Sequence, residues 1–96
     1  MNDAFAVRVK TVHIKRLEVI MTKFSERLKE LRQERGLKQR EMAEICGLKL
    51  RGYQCYEYAA SCPDFEGLVF LADYFDVSTD YLLGRTDCRE VKRTNL

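Results

Sequence analysis

The chain has 96 residues, enough for one domain and too few for a second large core. An apolar fraction of 46% and a charged fraction of 33% are ordinary for a globular domain, and five glycines with one proline exclude a linker-rich or disordered chain. No apolar run approaches the ~20 residues that span a bilayer, and Arg8, Lys10, Lys15 and Arg16 break up the N-terminal apolar residues where an export signal needs an unbroken stretch, so a cytoplasmic protein is expected.

In chain order, residues 1–22 form an N-terminal extension whose pattern fits two structures. Phe5, Val7 and Val9 alternate with Ala6, Arg8 and Lys10, as a strand would, and Val12 and Ile14 resume the alternation in the other phase. A helix through residues 12–21 fits as well, because Leu17, Ile20 and Met21 share a face. An isolated strand would have to pair with something, so the segment reads either as a dimerising or DNA-contacting arm or as a loosely docked extension. Residues 24–35 are expected to be the first helix of the domain, with Phe24, Leu28 and Leu31 on its buried face, Thr22 or Ser25 capping its start and Gly36 ending it. The charged remainder of that helix reads as a solvated face. Two short helices follow over 38–46 and 49–57, then a loop over 58–64. Asp64 is expected to cap a fourth helix whose core stripe is Phe65, Leu68, Leu71, Ala72 and Phe75. Ser78 should cap a last helix over Thr79–Leu83, stopped by Gly84, with Tyr81, Leu82 and Leu83 closing the core. Residues 88–96 read as a basic, frayed tail. The fold class is therefore all-α, a compact five-helix domain over 23–87 with extensions at both ends.

The stretch KQREMAEICGLKLRGYQCYE, residues 38–57, carries the functional signal. Met42, Ala43, Ile45 and Cys46 give the first of its helices an apolar side, and Gly47 supplies a corner that needs positive φ. Beyond the corner Tyr53 and Tyr56 face inward while Lys49, Arg51 and Gln54 stay outside. Two helices around a short glycine turn form a helix-turn-helix, whose second helix can enter the DNA major groove. Lys38 and Lys49 stand where Ser or Thr usually caps, at a cost of ~1 kcal/mol each and against the helix dipole; nearby phosphates would turn both into contacts. Charge follows the motif: residues 23–58 carry nine basic and six acidic groups, whereas 59–87 carry Arg85 alone against six acidic ones.

The pieces FSERLKELRQERGLKQREMAEICGL and YEYAASCPDFEGLVFLADYFDVSTDYLLGRTD resemble the single-domain helix-turn-helix of the phage Cro/C1 repressors, the XRE family, over about two thirds of the chain. Proteins of that family commonly begin near the equivalent of Met21, so the extension fits either an added arm or an upstream start codon. The resemblance implies that Gln39 binds a backbone phosphate, that Lys49, Leu50, Arg51 and Cys55 face the bases with Gln54 adjacent, and that Arg32 pairs with Glu57 to fix the reading helix. Arg51 has the chemistry to pair with guanine O6 and N7, Lys49 suits guanine or a phosphate, Leu50 a thymine methyl, and Tyr58 can donate to a phosphate. Gly52 inside the reading helix would either let the DNA backbone approach or relieve crowding by Tyr53. The expected function is sequence-specific binding of double-stranded DNA as a homodimer, repressing transcription from a palindromic operator. A protein-interaction module, or an antitoxin-like autoregulator with a protein partner, is the second reading, motivated by the tyrosines at 53, 56 and 58 and by a 58–65 loop without Lys or Arg. No catalytic grouping, cofactor loop or CxxC pair is present in the sequence, so no enzyme, cofactor, metal or membrane association is expected; Cys46, Cys55, Cys62 and Cys88 read as free thiols.

Overall fold

The computed structural model describes residues 3–91, with side chains from Lys15 onward. Five helices follow one another: α1 (Asp3–Glu34), α2 (Gln39–Ile45), α3 (Leu50–Glu57), α4 (Phe65–Phe75) and α5 (Thr79–Leu82). Among the described residues there is no strand. The core gathers Phe24, Leu28 and Leu31 from α1, Met42 and Ala43 from α2, Tyr53 from α3, Leu71, Ala72 and Phe75 from α4, and Tyr81 and Leu82 from α5.

The largest departure from expectation is α1. Its 32 residues continue without a break from the extension into the domain, so the helical alternative holds over residues 12–21, the helix reaches back to Asp3, and the strand does not form. Val7 and Val9 alternate only locally, whereas Leu17, Ile20, Met21, Phe24 and Leu28 carry helical spacing straight into the core. Thr22 and Ser25 consequently cap nothing. They lie inside the helix, where the Ser25 hydroxyl donates to the Thr22 carbonyl at 3.0 Å. At 1.5 Å per residue α1 is about 48 Å long, which explains a long axis of 53 Å and a radius of gyration of 15.6 Å where a compact chain of this length has about 12 Å.

The remaining ends obey local chemistry. Asp64 accepts from the Gly67 amide at 2.8 Å and Ser78 from the Tyr81 amide at 2.9 Å, the two expected caps. The end of α3 passes through Ala59 at φ 57° and that of α4 through Asp76 at φ 54°, left-handed positions without a glycine to signal them. Gly84 has φ 74° and packs so tightly that a Cβ there would stand 2.5 Å from Lys23 Cβ.

Three further expectations are corrected. Phe65 is 85% exposed rather than core. At 100° per residue it lies roughly 70° around α4 from the mean direction of Leu71, Ala72 and Phe75, on the edge of the stripe. Arg27, assigned to a solvated face, is a clamp: its guanidinium donates to the Thr86 carbonyl at 2.6 Å and the Asp87 carboxylate at 2.7 Å and lies 4.2 Å over the Tyr81 ring. The tail is also not frayed where it is described. Arg89 pairs in a fork with Glu34 at 2.8 and 2.6 Å while its carbonyl accepts from the Ser78 amide at 2.9 Å; residues 92–96 lie outside the described residues.

Candidate nucleic-acid interface

The site is built at the corner between α2 and α3. Gly47 at φ 69° turns the chain, its amide donating to the Glu44 carbonyl at 3.0 Å and that of Leu48 to the Ala43 carbonyl at 2.9 Å. These bonds close the last turn of α2 and aim the start of α3 away from it. The residues preceding each helix, Lys38 and Lys49, are extended and supply no side-chain cap. Glu41 repairs part of the loss at α2, accepting from the Lys38 amide at 3.0 Å. Nothing equivalent reaches the first turn of α3, which holds no acidic residue. Its free amides and the Lys49 ammonium together favour an anion at that end.

Behind α3 stands a buried polar network. Arg32 Nε donates to Glu57 Oε2 at 2.6 Å and Nη2 to Oε1 at 3.1 Å, while Nη1 reaches the Leu37 carbonyl at 2.8 Å. The Arg32 and Glu57 side chains are 9% and 1% exposed, so the pair is internal. Glu57 also accepts from the Tyr53 hydroxyl and from Gln39 Nε2 at 3.0 Å. Burial pushes the Glu57 carboxyl up, but the bonds from Arg32, Tyr53 and Gln39 outweigh it and hold the group below the ordinary carboxylate value. The bond to Glu57 likewise raises Arg32, and Tyr53 is held protonated by burial first and by its bond to Glu57 second. One carboxylate thus ties α1, α2 and α3 together.

Gln39 extends that network to the surface. Its Oε1 accepts from Gln54 Nε2 at 3.0 Å, joining the first turn of α2 to the outer side of α3. One Nε2 hydrogen is committed to Glu57; the second is available to an acceptor in solvent. Lys38, Gln39, Arg40, Glu41, Leu50 and Gln54 line one open cleft of about 610 Å³ between the two helices. Lys49 and Arg51 are exposed, Leu50, Gln54 and Cys55 half-buried, and Tyr58 is 67% exposed. Arg51 and Cys55 stand four apart on the side of α3 away from Tyr53 and Glu57, with Gln54 at the border between the two sides. Beyond its chain neighbours and its own helix backbone, a Cβ on exposed Gly52 would meet nothing nearer than Leu48 Cβ at 4.0 Å.

The expected residues therefore fall into two groups. Arg32, Glu57, Gln39 and Gln54 are bonded together; Lys49, Arg51 and Tyr58 project independently. Sequence reasoning takes Tyr53 as packing or a protein contact and misses its hydroxyl bond to Glu57, and it misses Arg40, whose place beside Gln39 is visible in the spacing. Elsewhere, the half-buried Cys46 thiol is pushed up by burial, and all four cysteines are free. Among the described residues no group of three or more His, Cys, Asp or Glu side chains could hold a metal ion, and no helix is long and apolar enough to cross a membrane.

A second helix pinned from behind, with its outer side and N-terminus offered to a polyanion, defines a helix-turn-helix of the DNA-reading class. The helix-turn-helix family matches residues 28–82, more than half of the chain, and the protein belongs to that Cro/C1-type family. It is 39% identical over 75 residues to the HTH-type transcriptional regulator YobD of Bacillus subtilis, covering 76% of this chain and 67% of YobD. The SPbeta prophage-derived HTH-type transcriptional regulator YonR of the same organism is 41% identical over 63 residues, 66% of this chain and 58% of YonR. The cryptic phage CTXphi transcriptional repressor RstR of Vibrio cholerae is 38% identical over 63 residues, 66% of this chain and 56% of RstR. The chain thus spans between about half and two thirds of the length of these relatives. No solved structure matches it significantly.

Proposed function

We propose that the protein is a sequence-specific regulator of transcription that binds double-stranded DNA as a homodimer and represses from a palindromic operator. The observation that carries this reading is the locked α3: Glu57 is held inside by Arg32, Gln39 and Tyr53 while Arg51 on the same eight-residue helix and Lys49 just before it remain exposed. Rigid support of a reading helix lowers the entropy lost on binding and fixes which side chains reach base edges. In this reading Lys38, Gln39, Arg40, Lys49 and Tyr58 take phosphates, and Arg51 reads guanine, with Leu50, Gln54 and Cys55 lining the groove. Two-fold half-sites follow because one short helix covers only a few base pairs. The repressor assignment draws on relatives such as RstR, and a cytoplasmic location goes with it.

Selection from random duplex DNA at near-physiological salt tests the proposal. Enrichment of an inverted repeat supports it; binding without any enriched motif, vanishing as salt rises, contradicts it. A second reading, a module that docks a partner protein, is favoured by exposed Tyr58 and Phe65 around a loop without cations. That reading predicts salt-insensitive association with a protein and no selected DNA.

A further inference from the structure

The chain carries two surfaces of opposite charge. The first is a groove of about 590 Å³ between the end of α2, Tyr56 of α3 and the start of α4. Ile45, Leu48, Tyr56 and Phe70 give it an apolar floor, and Glu44, Asp64 and Glu66 give it an acidic rim. Among the described residues that line it there is no cation. Phe65 and Val69, 85% and 41% exposed, continue the apolar surface along α4. Exposed apolar area of this kind, rimmed by charge, marks a docking surface. Pairing of α4 with itself would set Glu66 and Asp73 of two copies together, a like-charge arrangement that costs affinity.

The second surface is the part of α1 that precedes the domain. Phe5, Arg8, Val12, Lys15 and Val19 fall at i, i+3, i+7, i+10 and i+14, a register that places aromatic, aliphatic and cationic residues on one side of a helix. Val19 is 60% and Leu17 45% exposed, so neither is buried in the core of its own protomer. Residues 4–19 are helical and about 24 Å long, with Arg8, Lys10, Lys15 and Arg16 against Glu18 alone. Its charge and its apolar spacing complement the groove.

We infer that residues 4–19 of one protomer lie in the α4 groove of a second copy, reciprocally, and that this exchange holds the homodimer. The inference rests on the homodimer of the proposed function and supplies its interface. Two-fold symmetry makes the contact isologous and uses both grooves and both extensions, doubling the area that one short helix could bury.

Sedimentation equilibrium of the full chain without DNA, with far-UV circular dichroism to verify folding, tests it through a charge exchange. Glu44→Lys with Glu66→Lys alters only exposed groove positions, and Arg8→Glu with Lys15→Glu alters only the extension. The parent is expected to dimerise more weakly as salt rises. Each doubly substituted variant alone should self-associate at least about tenfold more weakly. An equimolar mixture of the two should recover the dimer, because each reversed groove then meets an extension of opposite charge. A groove variant that dimerises like the parent, or a mixture that recovers nothing, overturns the inference while leaving a dimeric DNA reader intact. A parent that remains monomeric overturns the inference and the homodimer together.

Discussion

Replacement of Glu57 by Gln removes one charge from the point where three helices meet. Glu57 accepts from Arg32 twice, from Gln39 and from the Tyr53 hydroxyl, and its side chain is 1% exposed. An amide keeps the shape but offers one acceptor oxygen, so its NH2 group faces donors and the 9%-exposed guanidinium loses its counter-charge. Breaking a buried pair from one side costs about 3–5 kcal/mol, a large fraction of the roughly 5–15 kcal/mol that stabilises a domain. A domain of this size loses about 4 °C or more per kcal/mol, so Tm should fall by about 12 °C or more. Urea unfolding followed by circular dichroism should show a lower midpoint at unchanged slope. Adding Arg32→Met removes the orphaned cation, so the double variant should cost less than the sum of the single ones. A Glu57→Gln loss below about 1 kcal/mol, or strict additivity, would refute the claim that this pair locks α3.

Other perturbations separate the parts of the account. The Glu57 carboxyl sits below its ordinary value of 4.5, so it contributes stability above about pH 4.5 and loses it as pH falls further; the parent's acid unfolding should be steeper than that of Glu57→Gln. Gly84→Ala combines a left-handed backbone with a 2.5 Å approach to Lys23 and should destabilise clearly more than Gly36→Ala, which has similar φ and open space and should cost about 1–2 kcal/mol in urea unfolding. Gly52→Ala meets no atom nearer than 4.0 Å beyond its chain neighbours and its own helix backbone and should raise the unfolding free energy by about 0.5–1 kcal/mol; a simultaneous fall in DNA affinity would place the DNA backbone against that position. Lys49→Ala should weaken binding to all sequences alike and lower the salt slope by about one, whereas Arg51→Ala should relax selection at one base pair per half-site.

The sequence made the α2–α3 corner legible because its determinants are local: Gly47 for the turn, Met42, Ala43 and Tyr53 for the buried side, Lys38 and Lys49 for the bare helix starts. Asp64 and Ser78 were readable for the same reason, each bonding an amide three residues on. The Arg32–Glu57 pair, 25 residues apart, came from the resemblance alone, and its further partners Tyr53 and Gln39 emerged only with the three helices in place. Ala59 and Asp76 adopt left-handed geometry that side chains do not advertise. Phe65 misled because spacing marks the edge of a stripe as strongly as its centre. Arg27 misled because a guanidinium at the surface of an isolated helix becomes a clamp once α5 and the chain after it fold over it. The extension stayed open between strand and helix because alternation over a few residues says little about a segment that a long helix absorbs.

The most direct test of the reading helix is a coupling measurement on the operator recovered by selection. Each guanine in turn is replaced by 7-deazaguanine, which lacks N7, and affinities of the parent and of Arg51→Ala are compared. The account predicts one guanine per half-site at which the analogue weakens the parent about five- to tenfold and leaves Arg51→Ala unchanged. Equal losses for both proteins at every guanine would contradict it and take Arg51 out of the groove.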